Sequence, residues 1–155
     1  FSLEATDGSS YRLSEQHGEV VLLFFGYTHC PDVCPTTLYD YKQIMQRLKS
    51  NTEKVQFLFV TVDPERDSLD HLADYVAAFD ASILGLSGSP AKLTEMYQNY
   101  GVFVEIKDVG SAAGYLVDHT ARIYVIDQGG NLKLTFPFGM QADAMADDLM
   151  HLLDG

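Results

Sequence analysis

The chain has 155 residues, 46% of them apolar and 21% charged. That composition fits one globular domain and excludes disordered, collagen-like and low-complexity architectures. There are 22 acidic residues against 10 basic ones, a net charge of −12, so nucleic acid and anionic membrane surfaces are disfavoured as partners.

The longest apolar run, residues 20–25, is far shorter than the roughly 20 residues that cross a bilayer, and a soluble chain is expected. The first residue is Phe1 rather than Met, so a leader or anchor is expected upstream. Two strands, residues 1–4 and 10–13, flank Asp7-Gly8, a hairpin signal. The run at 20–25 reads as a central strand covered on both faces. Residues 26–34 follow as a loop, and Pro35 suits the first position of a helix. On that helix Leu38, Tyr41, Ile44, Met45 and Leu48 recur at helical spacing, and Asn51-Thr52 end it.

Residues 55–62 read as a second buried strand. Asp67 or Ser68 can cap the next helix, with Asp67 favoured; it carries Leu69, Leu72, Tyr75, Val76 and Phe79. Ser89-Pro90 opens another helix, which runs to Tyr100 and stops at Gly101. Residues 102–106 form a short strand, and 107–116, rich in small residues, a loop. Residues 121–126 and 132–136 pair through Gly129-Gly130, and 142–153 close the chain as an amphipathic helix. The order predicts an α/β chain of the thioredoxin-like class: one domain over residues 1–155, with a central mixed sheet flanked by helices and an added N-terminal hairpin.

Only two cysteines are present, Cys30 and Cys34, in Gly26-Tyr27-Thr28-His29-Cys30-Pro31-Asp32-Val33-Cys34-Pro35. A buried strand delivers them to a loop and a helix begins just after, so the helix N-terminus should lower a thiol pKa below about 8.5. The spacing permits a disulfide, a redox-active dithiol or a shared metal ion. A structural disulfide closing so short a loop would contribute only about 2 kcal/mol.

A third ligand has to come from His17, His29, His71, His119 or His151. His71 and His151 sit within amphipathic helices, and His17 lies in a polar loop. His29 adjoins Cys30, but neighbours on an extended chain point apart; it can still tune the thiol. His119 precedes the 121–126 strand, where a thioredoxin-like fold brings the chain beside the cysteine loop; the competing reading is a surface loop histidine. Asp118 is a candidate supporting residue and Asp63 can face the site, while the five methionines read as packing residues.

Cys30-Pro31-Asp32-Val33-Cys34-Pro35, Thr61-Val62-Asp63-Pro64-Glu65-Arg66-Asp67, Gly85-Leu86-Ser87-Gly88, Tyr100-Gly101-Val102 and Tyr115-Leu116-Val117-Asp118-His119 together resemble the SCO/SenC family over nearly the whole chain. The resemblance implies a thioredoxin-like copper protein that helps assemble the Cu-A centre of cytochrome c oxidase. It implies Cys30, Cys34 and His119 as ligands for copper, as Cu(I) or Cu(II). It also implies an N-terminal membrane anchor and a domain facing the periplasm, or the mitochondrial intermembrane space in a eukaryote. Asp127-Gln128-Gly129-Gly130 departs from a frequent Asp-Pro-Asp-Gly, in a turn away from the motifs.

Two functions are compatible with these residues. As a metallochaperone, the chain passes copper to the copper-receiving subunit of the oxidase, with another copper chaperone or a thiol reductase as further partners. As a thiol-disulfide oxidoreductase, it uses Cys30 and Cys34 as the catalytic dithiol that keeps the target's cysteines reduced. Chelation requires His119; disulfide exchange does not. A copper or redox sensor ranks below both, and zinc reads as an adventitious occupant.

Overall fold

A computed structural model describes residues 2–16, 18–30, 33–111 and 114–154, with side chains for all of these except 108–111, 114–116 and 118. Strands β1 (Ser2–Ala5) and β2 (Ser10–Arg12) form the expected hairpin around Asp7-Gly8, where Gly8 takes φ 89°. β3 (Val20–Gly26) is buried along its whole length. It pairs in parallel with β4 (Val55–Thr61), which pairs in parallel with β5 (Leu84–Ser87). β8 (Arg122–Ile126) lies antiparallel on the other side of β3, and β9 (Leu132–Pro137) antiparallel to β8. The resulting sheet has the order β2-β1-β5-β4-β3-β8-β9. It is the mixed thioredoxin-like sheet with its N-terminal hairpin added at one edge.

Helices α1 (Val33–Leu48), α2 (Leu69–Ala77), α3 (Pro90–Tyr100) and α4 (Ala142–Asp154) flank the sheet. The predicted apolar stripe of α1 is its buried face, Leu38, Tyr41, Ile44, Met45 and Leu48. Ser89 caps α3 by accepting the N–H of Lys92, and Gly101 ends it at φ 67°. No helix among the described residues is long and apolar enough to cross a membrane.

Four details differ from the sequence reading. α1 starts at Val33, so Cys34 and Pro35 both lie in its first turn; proline is tolerated there because those N–H groups have no partner within the helix. Ser68, not Asp67, caps α2, accepting the N–H of His71 at 3.2 Å. β5 appears where no strand was expected: it has four residues and Gly85 interrupts its pattern. A Cβ at Gly85 would lie 2.8 Å from both Leu72 and Thr6, so close packing demands the glycine. Lastly, the short strand expected at 102–106 extends into the stretch read as a loop, 107–116, and the two form a two-stranded ribbon, β6 (Val104–Ser111) with β7 (Gly114–His119). It is separate from the main sheet. Its small residues and an irregular register between Asp108 and Ser111 hide the alternation by which a strand is recognised.

Candidate metal centre

The register of the main sheet brings the two halves of the site together. Phe24 of β3 faces Ile123 of β8, so the chain leaving β3 meets the chain entering β8. Cys30 and Cys34 come from the first side and His119, the last residue of β7, from the second. Their ligating atoms all lie within 4.8 Å of one another. His119 Nε2 is 3.6 Å from Cys34 Sγ and 4.0 Å from Cys30 Sγ.

The cysteine half rests on the core. Cys34 has no exposed surface and Cys30 is 8% exposed; both are free thiols. The Cys34 N–H, in the first turn of α1, points at Cys30 Sγ at 3.4 Å and favours negative charge on that sulfur. At Cys34 the expected lowering of the thiol pKa is reversed: burial pushes it far up, and the hydrogen bond and charge of neighbouring Cys30 act in the same direction. The helix end cannot offset complete removal from water. Cys34 therefore keeps its proton at neutral pH until a metal or an oxidant displaces it.

Gly26 makes the approach of Cys34 possible. A Cβ there would lie 2.7 Å from Cys34 Sγ and 2.9 Å from the Phe59 ring. Asp67, almost fully buried, holds the loop. It accepts the Thr28 N–H at 3.2 Å, the Thr28 hydroxyl at 2.6 Å and the Thr61 hydroxyl at 2.8 Å. The carboxylate read as a helix cap is thus the anchor of the cysteine loop to β4.

The histidine half is held by aromatic contacts and two backbone links. The His119 ring meets Phe24 edge-on at 6.0 Å and Tyr27 at 5.8 Å. The Tyr27 hydroxyl accepts the Val117 N–H at 3.1 Å. Burial raises the Tyr27 phenol pKa, so it stays neutral. The Thr120 N–H donates to the Phe103 carbonyl at 3.0 Å. His119 Nδ1 lies 3.2 Å from the Thr120 carbonyl. A carbonyl only accepts, so Nδ1 carries the proton and Nε2 turns a lone pair toward the sulfurs. Two thiols and a free imidazole nitrogen are a soft donor set suited to Cu(I).

The other sequence candidates separate from this group. Asp63 is buried and pairs with Arg66 Nε at 2.5 Å, and the Arg66 guanidinium lies over the Tyr27 ring at 5.8 Å. His151 lies exposed on α4. His17, Pro31, Asp32 and the side chain of Asp118 fall outside the described residues. Gly26, Tyr27 and the positioning role of Asp67 were not read from the sequence. One signal was available for Asp67: with Ser68 beside it, only one of the two could cap α2, which left the other without a role.

A family model described as SCO1/SenC matches residues 1–154. A mouse protein, the mitochondrial SCO2 homolog, is 36% identical over 132 residues, covering 84% of this chain and 52% of that protein. The chain spans about half the length of the curated relatives it matches first. Among solved structures, Bradyrhizobium japonicum ScoI with copper bound is 35% identical, with a TM-score of 0.90 and coverage of 99% of this chain and 97% of that one. Apo Sco1 from Thermus thermophilus is 44% identical, with a TM-score of 0.87 and coverage of 99% and 90%.

Proposed function

The chain belongs to the SCO1/SenC family, and on that premise we propose that it is a copper metallochaperone that holds one copper ion on Cys30, Cys34 and His119. The ion is its cargo, delivered to the copper-receiving subunit during assembly of the Cu-A centre of cytochrome c oxidase. The observation that carries the reading is the placement of His119 Nε2 within 4.0 Å of both sulfurs, with its other ring nitrogen committed to a carbonyl. The structure of a relative with copper bound, 35% identical, supports the choice of metal.

In this reading residues 1–155 act as one copper-binding domain, tethered to a membrane by a segment outside this sequence. It faces the periplasm or the mitochondrial intermembrane space; the mitochondrial name of the mouse relative agrees with the second. Loading removes the proton of Cys34, and pairing with copper compensates the buried sulfur for its lost hydration. His119 is half-buried and is carried on the ribbon, so it is the ligand best placed to leave first when an acceptor thiol arrives.

The oxidoreductase alternative has one observation in its favour, the helix N–H on Cys30 Sγ, which suits an attacking thiolate. The two readings part at His119. An anaerobic Cu(I) titration of the reduced chain against a chromogenic Cu(I) chelator, with His119→Ala in parallel, separates them. One-to-one binding that weakens by about tenfold or more in the variant supports the chaperone. Equal affinity in both proteins removes His119 from the site and leaves a dithiol, to be tested for disulfide reductase activity.

A further inference from the structure

Beside the cysteine pair, the described residues hold a second group of ligating side chains. The ligating atoms of His29, Asp67 and His71 all lie within 4.8 Å of one another. We propose that these three residues form a second metal site, which takes a divalent cation of the borderline class, Cu(II) ahead of Zn(II).

The three side chains come from separate parts of the chain. His29 is in the cysteine loop, Asp67 precedes the Ser68 cap, and His71 is in the first turn of α2. Two of the three are held in place. Asp67 is buried and oriented by the two threonine hydroxyls and the Thr28 N–H. The backbone of His71 is fixed by its N–H to the Ser68 hydroxyl.

Thr28 Oγ1 sits between the imidazoles, 2.9 Å from His71 Nε2 and 3.3 Å from His29 Nδ1. Its single proton goes to Asp67 Oδ1 at 2.6 Å, so it offers only lone pairs to the two rings. Three nitrogen and oxygen centres and a carboxylate therefore converge on one spot. The single proton of an uncharged imidazole can sit on either ring nitrogen, so the nitrogen that faces the group can be left free for a metal.

Bonds of about 2 Å to a shared ion would draw the donors closer than they now stand. Both imidazoles are exposed and can rotate inward while Asp67 stays in place. Two imidazoles and a carboxylate suit Zn(II) and Cu(II), with Cu(II) bound more tightly by the general order of divalent affinities, whereas the thiol pair suits Cu(I). The net charge of −12 favours cations in general. Thr28-His29-Cys30 would then join two sites of different softness on one loop.

The test is a Cu(II) titration of the full chain carrying Cys30→Ser and Cys34→Ser, followed by electron paramagnetic resonance and calorimetry. The expected result is one equivalent of Cu(II) with superhyperfine splitting from imidazole nitrogen. His29→Ala and His71→Ala should each weaken binding by about tenfold or more; His119→Ala and His151→Ala should leave it unchanged. Zn(II) should compete at the same site with lower affinity. The series is repeated with native cysteines oxidised to a disulfide, so that a folding defect in the serine variant does not hide the answer. Cu(II) binding that is indifferent to His29→Ala and His71→Ala, or that lacks nitrogen splitting, overturns the proposal. Loss of binding in His119→Ala would assign the copper to the first site instead and overturn it equally.

Discussion

The two halves of the cysteine–histidine site are built differently. The cysteine half stands on β3 and α1, and Cys34, like Phe24 of β3 and Leu38 of α1, has no exposed surface. Asp67 ties the loop to β4 through three hydrogen bonds. The histidine half ends a ribbon that pairs only with itself among the described residues. Two strands alone are marginal in water, and Ile106 and Phe103 on or beside this ribbon are 62% and 57% exposed. The contrast assigns different roles: the core presets the sulfurs, and the ribbon supplies a ligand that can be withdrawn. Substitutions in the first half should therefore cost stability and affinity together, whereas those in the second should cost affinity with little loss of fold.

The largest effect is expected at Gly26. In Gly26→Ala the new methyl group meets Cys34 Sγ at 2.7 Å and the Phe59 ring at 2.9 Å, and neither neighbour has room to retreat. Overpacking of this kind costs about 1–3 kcal/mol. Displacement of the sulfur should also weaken Cu(I) binding by about tenfold or more. Denaturant unfolding and chelator competition on the same variant check both. A loss of stability with intact affinity would show that the sulfur position is not preset, and would break the contrast on its rigid side.

Tyr27→Phe probes the other half with a smaller change. It removes the acceptor of the Val117 N–H and retains the ring that packs on His119. A buried donor left without an acceptor costs about 1 kcal/mol or more. The ribbon can shift to meet water, so the lower end is expected. Amide exchange at Val117 should quicken, and Cu(I) affinity should fall by more than the loss of stability accounts for. Equal falls in both would mean that the ribbon is as much a part of the core as β3.

The same contrast explains which features were legible in the sequence. Buried elements with strong periodicity were read nearly to the residue: β3, the apolar face of α1, and the Ser89-Pro90 start and Gly101 stop of α3. Cys30, Cys34 and His119 stand out in the sequence, and the geometry groups them. The ribbon escaped because its pattern is weak, and β5 because a glycine breaks a four-residue strand. The supports of the site were hidden for a different reason. Asp67 and Gly26 act through contacts across the fold, with Thr28 and Thr61 in one case and Cys34 and Phe59 in the other. No local propensity encodes such contacts. The Cys34 pKa rises where a lowering is expected because a helix start is visible in sequence and the depth of burial is not.

That burial leads to the last expected effect, which is absent at neutral pH and appears only in alkali. In the unfolded chain the Cys34 thiol loses its proton near pH 8.5; in the folded, metal-free chain burial holds it far above that value. Below pH 8 both states are protonated and the contribution to stability is fully present. Above pH 8.5 the unfolded chain releases a proton that the folded chain keeps, so stability must fall as pH rises, by up to about 1.4 kcal/mol per unit. Tyr11, Tyr41, Tyr75 and Tyr97, whose phenol pKa values are also raised chiefly by burial, act with the same sign, but only once their unfolded forms titrate near pH 10. Cys30 and the tyrosines are common to the native chain and a Cys34→Ser variant, so the difference between their unfolding free energies, measured between about pH 8 and 9.5 under reducing, metal-free conditions, isolates the Cys34 thiol. Cys34→Ser should flatten the slope in that window, because a hydroxyl does not titrate there. A native chain with no slope would mean that water reaches Cys34 in solution, and the cysteine half would then be as open as the ribbon beside it.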